Sequence, residues 1–507
     1  MTPGQTPVPP QKTPLSARRF VLLASVAGVG AALLLGAPHD RATLPGLTPP
    51  AHAAEAMRQP SGFADLVAKV KPAVISVRVK IEQTAETTGL GDDGEGPVQP
   101  GANPLEKFFK QFGNPGLPGG MQQRHQMVTG EGSGFFISPD GYAVTNNHVV
   151  DHASSVEIKT DDGATYTAKV IGTDPKTDLA LIKVDAKTQF AYVKFSDQAP
   201  RVGDWVVAVG NPFGLGGTVT AGIVSARGRD IGAGPYDDYI QIDAPINKGN
   251  SGGPAFDIDG NVIGVNTAIY SPSGGSVGIG FDIPAETARL VVAQLKDSGR
   301  VTRGWIGVQI QPVTADIADS LGMKQAQGAI VADPQAGGPA AKAGIEAGDV
   351  ITALNGTPVK DSREVARKIG ALAPGSAVKL DILRNGATKT VTVTLGEMPK
   401  DRQAKADTVP ATPSTGVPRL GLQLAPAGDV AGSGDKGVVV TGVEPAGPAA
   451  EHGFKTGDVI LEVGGKAVAK PADVRGALAE ARQQGKRDVL LRVKSADATR
   501  FVALPLG

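Results

Sequence analysis

Three short stretches of this chain hold residue types that can do chemistry together. In GNSGGP at 249–254, Ser251 sits among glycines that permit a tight turn. A serine hydroxyl is a weak nucleophile, and acyl transfer needs it exposed on such a turn, beside backbone N–H groups that hold a developing oxyanion. The N–H groups of Gly249 and Ser251 are the natural donors, because amides two residues apart in a tight loop can point into one concavity. Taken alone, the run also suits an ordinary glycine-rich hairpin. Its partners decide the matter. Of six histidines, His125, His148 and His152 fall in the body of the strand-rich region. His148, in TNNHVV, directly follows the strand-like GYAVT and is the candidate general base, while His152, in DHAS, is expected to pack rather than react. Asp178, in TDLALIKV, opens a further strand, from which its carboxylate can orient an imidazole and stabilise its cation.

The elements that must position these groups read as short strands. Between residues 61 and 300, AVISVRVK (73–80), SGFFIS (133–138), DLALIKV (178–184), WVVAVG (205–210) and NVIGVNTA (261–268) are separated by turn residues, a spacing that suits a sandwich or barrel. The composition agrees: 68 Gly and 39 Pro with 4% aromatics favour turns and strands over long helices. The order His, Asp, Ser is the one used on chymotrypsin-like double barrels, not on α/β-hydrolases or subtilisin-type folds. Residues 83–126 form a Gly/Pro/Gln-rich insertion with one apolar knot, Phe108, Phe109 and Phe112, expected to be a mobile surface loop or an assembly contact.

Length and charge bound the rest. At 507 residues the chain should hold three or four domains. Fifty basic against fifty acidic side chains leave no net field, so a dedicated nucleic-acid binder is excluded. The absence of cysteine excludes a disulfide framework, a thiolate metal site and a Cys nucleophile; no metal or organic cofactor is expected. Arg18-Arg19, an apolar run from Phe20 to Ala37 and the pattern Ala51-His52-Ala53 predict an export signal over 1–53, cleaved or retained as a membrane anchor. Its removal takes the balanced charge to about −3, and either way the bulk of the chain is expected outside the cytoplasm.

The C-terminal part contains a duplication. GPAAKAGIEAGDVI (338–351) matches GPAAEHGFKTGDVI (447–460) at nine of fourteen positions, too far apart for a solenoid repeat. Two copies of one small domain are implied, at 301–399 and 416–507, joined by a Pro/Thr/Ala-rich linker over 400–415.

TNNHVV, TDLALIKV and GNSGGP followed by two repeated domains resemble the HtrA/Deg family of exported trypsin-fold serine proteases. That resemblance implies a mainly β fold, a chymotrypsin/trypsin-like double β-barrel over 61–300 followed by two small α/β PDZ domains. It assigns His148, Asp178 and Ser251 the roles of base, orienter and nucleophile, with the oxyanion held by Gly249 and Ser251. Six residues before the serine, where trypsin places an acid, stands Pro245, so specificity for Lys or Arg is disfavoured and Ile246 and Ile269 are candidates for an apolar pocket. Substrate contacts are expected from Gly249, Asn250, Ile246 and the run Asn266, Thr267, Ala268, Ile269, Tyr270 and Ser271. Asn250 replaces the acid that pairs with a new N-terminus in digestive proteases, so activation by that ion pair is absent. Flexible loops at Arg227–Tyr239, Asn247–Asn250 and Tyr270–Ser276 would order the site instead, with Arg229 matching the family's sensor position. In the copies, Arg303-Gly304-Trp305-Ile306-Gly307-Val308 and Arg419-Leu420-Gly421-Leu422 resemble PDZ carboxylate-binding loops, and Trp305, Ile306, Gly307 and Val308 are expected to capture a free C-terminus. The second copy serves assembly more than ligand capture. The resemblance implies an ATP-independent endopeptidase degrading unfolded or damaged proteins in the periplasm or cell envelope, a homotrimer or larger homo-oligomer. Its rivals are a chaperone or peptide-binding scaffold, and a regulatory protease cutting one anchored substrate.

Overall fold

The computed structural model describes residues 62–83, 126–214, 216–272, 275–399, 415–417, 420–430, 432–496 and 498–506. The predicted signal, Phe108, Phe109, Phe112, His125, Arg419 and the linker over 400–414 lie outside them. No helix among the described residues is long and apolar enough to cross a membrane.

A short helix, α1 (Ala64–Val70), leads into a first closed barrel of β1 (Val74–Gln83), β2 (Gln126–Phe136), β3 (Tyr142–Thr145), β4 (Ala153–Lys159), β5 (Thr165–Asp174) and β6 (Leu179–Val184), in the order β1-β2-β3-β6-β5-β4. One turn of helix, α2 (Asn147–Val150), stands between β3 and β4. Gln83 pairs with Gln126, so the long insertion leaves and re-enters the barrel between directly paired strands. The second closed barrel, ordered β10-β11-β12-β9-β8-β7, comprises β7 (Trp205–Gly210), β8 (Thr218–Arg229), β9 (Tyr239–Ile242), β10 (Pro254–Phe256), β11 (Val262–Ile269) and β12 (Gly280–Pro284). The helix α3 (Ala285–Ser298) follows.

Period-2 alternation explains why several strands are apolar throughout. On β6, Ala180, Ile182 and Val184 fill the first barrel, while Leu179 and Leu181 join a cluster to which both barrels and α3 contribute. On β7, Val206 and Ala208 fill the second barrel, and Val207 and Val209 reach the same shared cluster. The outer faces of these strands meet protein rather than water, and each such buried side chain contributes about 1.5–3 kcal/mol. The shared cluster fixes the barrels against each other.

The first repeat contains β13 (Gly304–Trp305), β14 (Val308–Pro312), α4 (Ala315–Ser320), β15 (Ala329–Pro334), α5 (Pro339–Lys342), β16 (Val350–Leu354), β17 (Thr357–Pro358), α6 (Ser362–Gly370), β18 (Ala377–Arg384), β19 (Ala387–Thr394) and β20 (Gly396–Glu397). Its main sheet runs β14-β15-β16-β18-β19. The second repeat contains β21 (Thr415–Val417), β22 (Leu422–Pro426), β23 (Val438–Val443), α7 (Pro448–Glu451), β24 (Val459–Val463), β25 (Lys466–Ala467), α8 (Pro471–Gln483), β26 (Asp488–Ser495) and β27 (Ala498–Pro505). Its sheet runs β21-β22-β23-β24-β26-β27. One cluster spans both repeats: Val313, Ile317, Ile330 and Val350 of the first pack with Leu490, Phe501 and Ala503 of the second.

Candidate active site

The loop after Asn247 brings Ser251 from the second barrel onto the first. Gly249 and Gly252 have φ of +88° and +86°, which L side chains rarely adopt, and a Cβ at Gly249 would lie 2.5 Å from Pro212 Cβ. A Cβ at Gly252 would collide with the carbonyl oxygen of Ser133. The close approach is fixed by Ser133 on β2: its N–H donates to Ser251 O at 2.8 Å, its hydroxyl donates to Gly249 O at 2.5 Å, and the same oxygen accepts Asn211 N–H at 2.8 Å. Within the described residues, the N–H groups of Gly249 and Ser251 donate to no other group.

The base arrives from the opposite side. A Cβ at Gly132 would lie 2.7 Å from Val149 Cγ2 and 3.2 Å from Ser251 O, so α2, which carries His148, and the serine loop meet over one point of β2. Asp178 stands just before β6 with φ +56°, a strained setting for a residue with a side chain, costing of order 1–3 kcal/mol. Its contacts over-determine it. Oδ1 accepts His148 N–H at 3.0 Å, Oδ2 pairs with His148 Nδ1 at 2.7 Å, and its carbonyl accepts Asn146 Nδ2–H at 2.8 Å and Asn147 N–H at 3.1 Å. Because a carboxylate only accepts, Nδ1 donates in this contact, and in the neutral ring that leaves on Nε2 the lone pair a base needs.

Thr267 on β11 closes the arrangement. Its hydroxyl donates to Asp178 Oδ2 at 2.6 Å, and its carbonyl accepts Ser251 Oγ–H at 3.4 Å. The sequence suggests Thr267 only as a backbone substrate contact; the hydroxyl's role needed the fold. Ser133 was also missed, although a serine between Gly132 and Gly134 ahead of an apolar strand is a readable sign of close backbone approach.

Other expected residues are distributed around this centre. Asn250 is buried, its side chain against Gly210. Ile246 is buried in the second barrel's core, against Gly280, and Ile269 packs at the edge of that cluster. Ala268 is buried and Tyr270 is exposed, its N–H bonded to Ile279 O at 3.0 Å. Ser271 Oγ donates to Gly275 O at 2.6 Å. His152 is corrected: it is not packed but exposed in a turn with φ +55°, beside Asp151 at 3.4 Å. Arg229, where β8 ends, donates through Nε to Gln241 Oε1 at 2.8 Å.

The loop that begins after Arg229 meets the first repeat. Arg363 pairs with Asp230, Arg367 donates to Asp237 O at 2.8 Å and pairs with Asp238 at 3.5 Å, and Tyr236 lies against Gly370. Burial pushes the Asp237 carboxyl up, opposed by the N–H groups of Ala233 and Ile231 that it accepts. Arg303, 8% exposed, makes a bidentate pair with the equally enclosed Asp174 at 2.9 and 2.5 Å and stacks over the Tyr236 ring at 4.7 Å. Thr177, adjacent to Asp178, donates to Asp174 Oδ2 at 2.5 Å. A buried path of polar contacts therefore joins the first repeat to the turn that holds the triad-type aspartate.

A further acid is sealed in the second barrel. Asp282 on β12 is fully buried, pairs in register with Asn266, and neither carboxylate oxygen has a partner among the described residues. Burial alone pushes its carboxyl up to about 8. An unfolded aspartate ionises near 3.9. Between about pH 4 and 8 the unfolded chain has released this proton and the folded chain keeps it, so the group costs stability increasingly as pH rises through that window. Asp282→Asn is expected to raise the thermal midpoint more at pH 8 than at pH 5; midpoints of parent and variant that stay parallel across that range would refute the assignment.

Comparison with known proteins identifies the domains that carry these residues. A model of the trypsin-like peptidase domain matches residues 132–265, and a PDZ domain model matches 304–395 and 418–505. The chain is 51% identical over 494 residues to a probable periplasmic serine endoprotease DegP-like of Brucella melitensis, covering 93% of this chain and 94% of the relative. It is 47% identical to the equivalent of Rhizobium meliloti, covering 88% and 92%. A solved HtrA-type protease, AlgW with decapeptide, superposes with a TM-score of 0.53 at 36% identity over 67% of this chain and all of that one.

Proposed function

Because the chain belongs to the HtrA family of DegP-like serine endoproteases with PDZ domains, we propose that it is a periplasmic, ATP-independent endopeptidase that degrades unfolded or damaged polypeptides under the control of its first PDZ domain. The carrying observation is the meeting of three groups at Thr267: Asp178 bonded to the His148 ring at 2.7 Å, the Thr267 hydroxyl on that carboxylate at 2.6 Å, and Ser251 Oγ on the Thr267 carbonyl at 3.4 Å.

In this reading Ser251 Oγ attacks the substrate carbonyl carbon as His148 Nε2 takes its proton, and Asp178 stabilises the imidazolium. The oxyanion forms between the N–H groups of Gly249 and Ser251, whose freedom from partners among the described residues supports that role. The tetrahedral intermediate collapses as His148 returns the proton to the departing amine, leaving an acyl ester that water hydrolyses by the same steps. Among the described strands β10 pairs with β11 only as far as Val265, so Ala268 and Ile269 have ladder partners on β12 alone and Thr267, at the bulge between Asn266 and Ala268, has none. The open side supports the addition of an extended peptide as a strand there.

Ile246 and Gly280 favour a small apolar side chain before the cleaved bond, and Asp282, enclosed and neutral below about pH 8, supplies no counter-charge for a basic one. An unpaired Lys or Arg buried there costs several kcal/mol. Digestion of unfolded casein, with cuts mapped by mass spectrometry, is expected to give sites after Val, Ala or Ile. No cleavage overturns the function, and a majority of cuts after Lys or Arg overturns the pocket.

Regulation follows from the same surfaces. A free C-terminus bound at Trp305–Val308 acts on residues immediately following Arg303, and Arg229 stands at the root of the loop that faces this domain.

A further inference from the structure

Building on the PDZ reading above, we propose that the second PDZ domain is occupied in cis: the linker strand Thr415–Val417 fills the edge where a C-terminal peptide would pair, so free C-termini are captured by the first domain alone.

The two loops are equivalent by their bonds. Gln335 N–H donates to Gly307 O at 2.8 Å and Glu444 N–H to Gly421 O at 2.8 Å; Ala340 N–H donates to Ile306 O at 2.8 Å and Ala449 N–H to Leu420 O at 3.2 Å. The strand after each loop is therefore the ligand strand, β14 in the first domain and β22 in the second. A peptide that places its carboxylate at the loop and pairs with this strand must run antiparallel to it. Among the described residues β14 is an edge strand, paired with β15 only. β22 has β23 on one side and β21 on the other, with Thr415 opposite Leu424, Gly416 opposite Gln423 and Val417 opposite Leu422. β21 is antiparallel and runs toward the loop, the course a ligand's final residues would take.

Two further features separate the domains. A Cβ at Gly307 would meet Trp305 ring carbons at 3.0 and 3.1 Å and Pro339 Cδ at 3.3 Å, whereas one at Gly421 would meet Glu444 Cβ at 2.9 Å and Oε2 at 3.3 Å. A carboxylate beside the loop repels the carboxylate that such a loop holds. The far edge of the second sheet, β27, is covered as well: Thr499 and Phe501 N–H donate to Gln309 and Gln311 Oε1 at 2.9 and 2.7 Å, and Gln311 Nε2–H donates to Phe501 O at 2.9 Å. Covered edges do not recruit strands.

Calorimetric titration of the full chain carrying Ser251→Ala with an apolar-ended decapeptide bearing a free carboxylate is expected to show one site per chain. Replacing Thr415, Gly416 and Val417 by Pro together with Glu444→Gln should give two. Two sites in the parent, or no added site in a variant with an unchanged circular dichroism spectrum, overturns the proposal. Hydrogen exchange without peptide decides independently of any binding: Leu422–Leu424 amides should exchange roughly tenfold more slowly in the parent than in the Pro variant. Equal rates overturn cis occupancy even where no peptide binds, and absence of binding to the parent then counts only against the first domain's capture of free C-termini.

Discussion

Ser251→Ala is expected to abolish casein hydrolysis while leaving the fold intact, because only one oxygen is removed and the hydrogen bond it makes, to Thr267 O, is a long one at 3.4 Å. The loop's shape depends on Gly249, Gly252 and the Ser133 clamp, none of which the substitution touches. Members of such a constellation act as a unit, so His148→Ala should cost a similar factor of about 10⁴ or more. Asp178→Asn should approach the same loss by letting Nδ1 accept from the amide, which puts the ring proton on Nε2. Cleavage of casein by Ser251→Ala near the parent rate would overturn the nucleophile. The same variant also isolates the chaperone alternative: suppression of client aggregation that survives without hydrolysis is a separate activity of the chain.

Arg303→Leu carries the second large effect. Breaking a buried ion pair leaves an uncompensated charge, and Asp174 has no water to fall back on, so a destabilisation of about 3–5 kcal/mol is expected. Removing both partners avoids that penalty; Arg303→Leu combined with Asp174→Leu should recover most of the stability. Regulation should not recover with it. A C-terminal peptide that stimulates hydrolysis of a short reporter by about 5- to 150-fold in the parent should stimulate neither variant, because Arg303's contacts with Tyr236 and with Asp174, the link toward Thr177, are gone in both. Stimulation that returns with stability in the double variant would show that the pair is only structural.

Local chemistry was legible in the sequence; long-range polar pairing was not. The serine turn announces itself because glycines must flank it, and Asp178 because it opens an apolar strand. The double barrel follows from strand spacing and from the order of the three residues. Thr267 could not be assigned to Asp178 because 89 residues separate them and a threonine on a strand has many uses. Arg303 and Asp174 lie 129 residues apart, each ordinary in its own neighbourhood. Asp282 reads as a strand residue like any other until the barrel closes over it. His152 was misjudged for a local reason: it follows an apolar pair, but with Asp151 it turns the chain outward. Thr415–Val417 straddles the expected boundary between linker and second copy and does not read as a strand, because three residues have no periodicity; only pairing with β22 makes them one.

The cluster shared by the two PDZ domains changes what a deletion experiment measures. A chain ended near Pro399 would lose Leu490, Phe501 and Ala503 and bare Val313, Ile317, Ile330 and Val350 to water. Gln309 and Gln311, on the ligand strand itself, would lose their backbone partners in the same cut. Such a truncation wounds the domain it is meant to isolate, and poor solubility or altered peptide affinity in it would describe a raw surface rather than the missing domain's function. The separate contributions of the repeats are accessible only by substitutions that leave this seam closed.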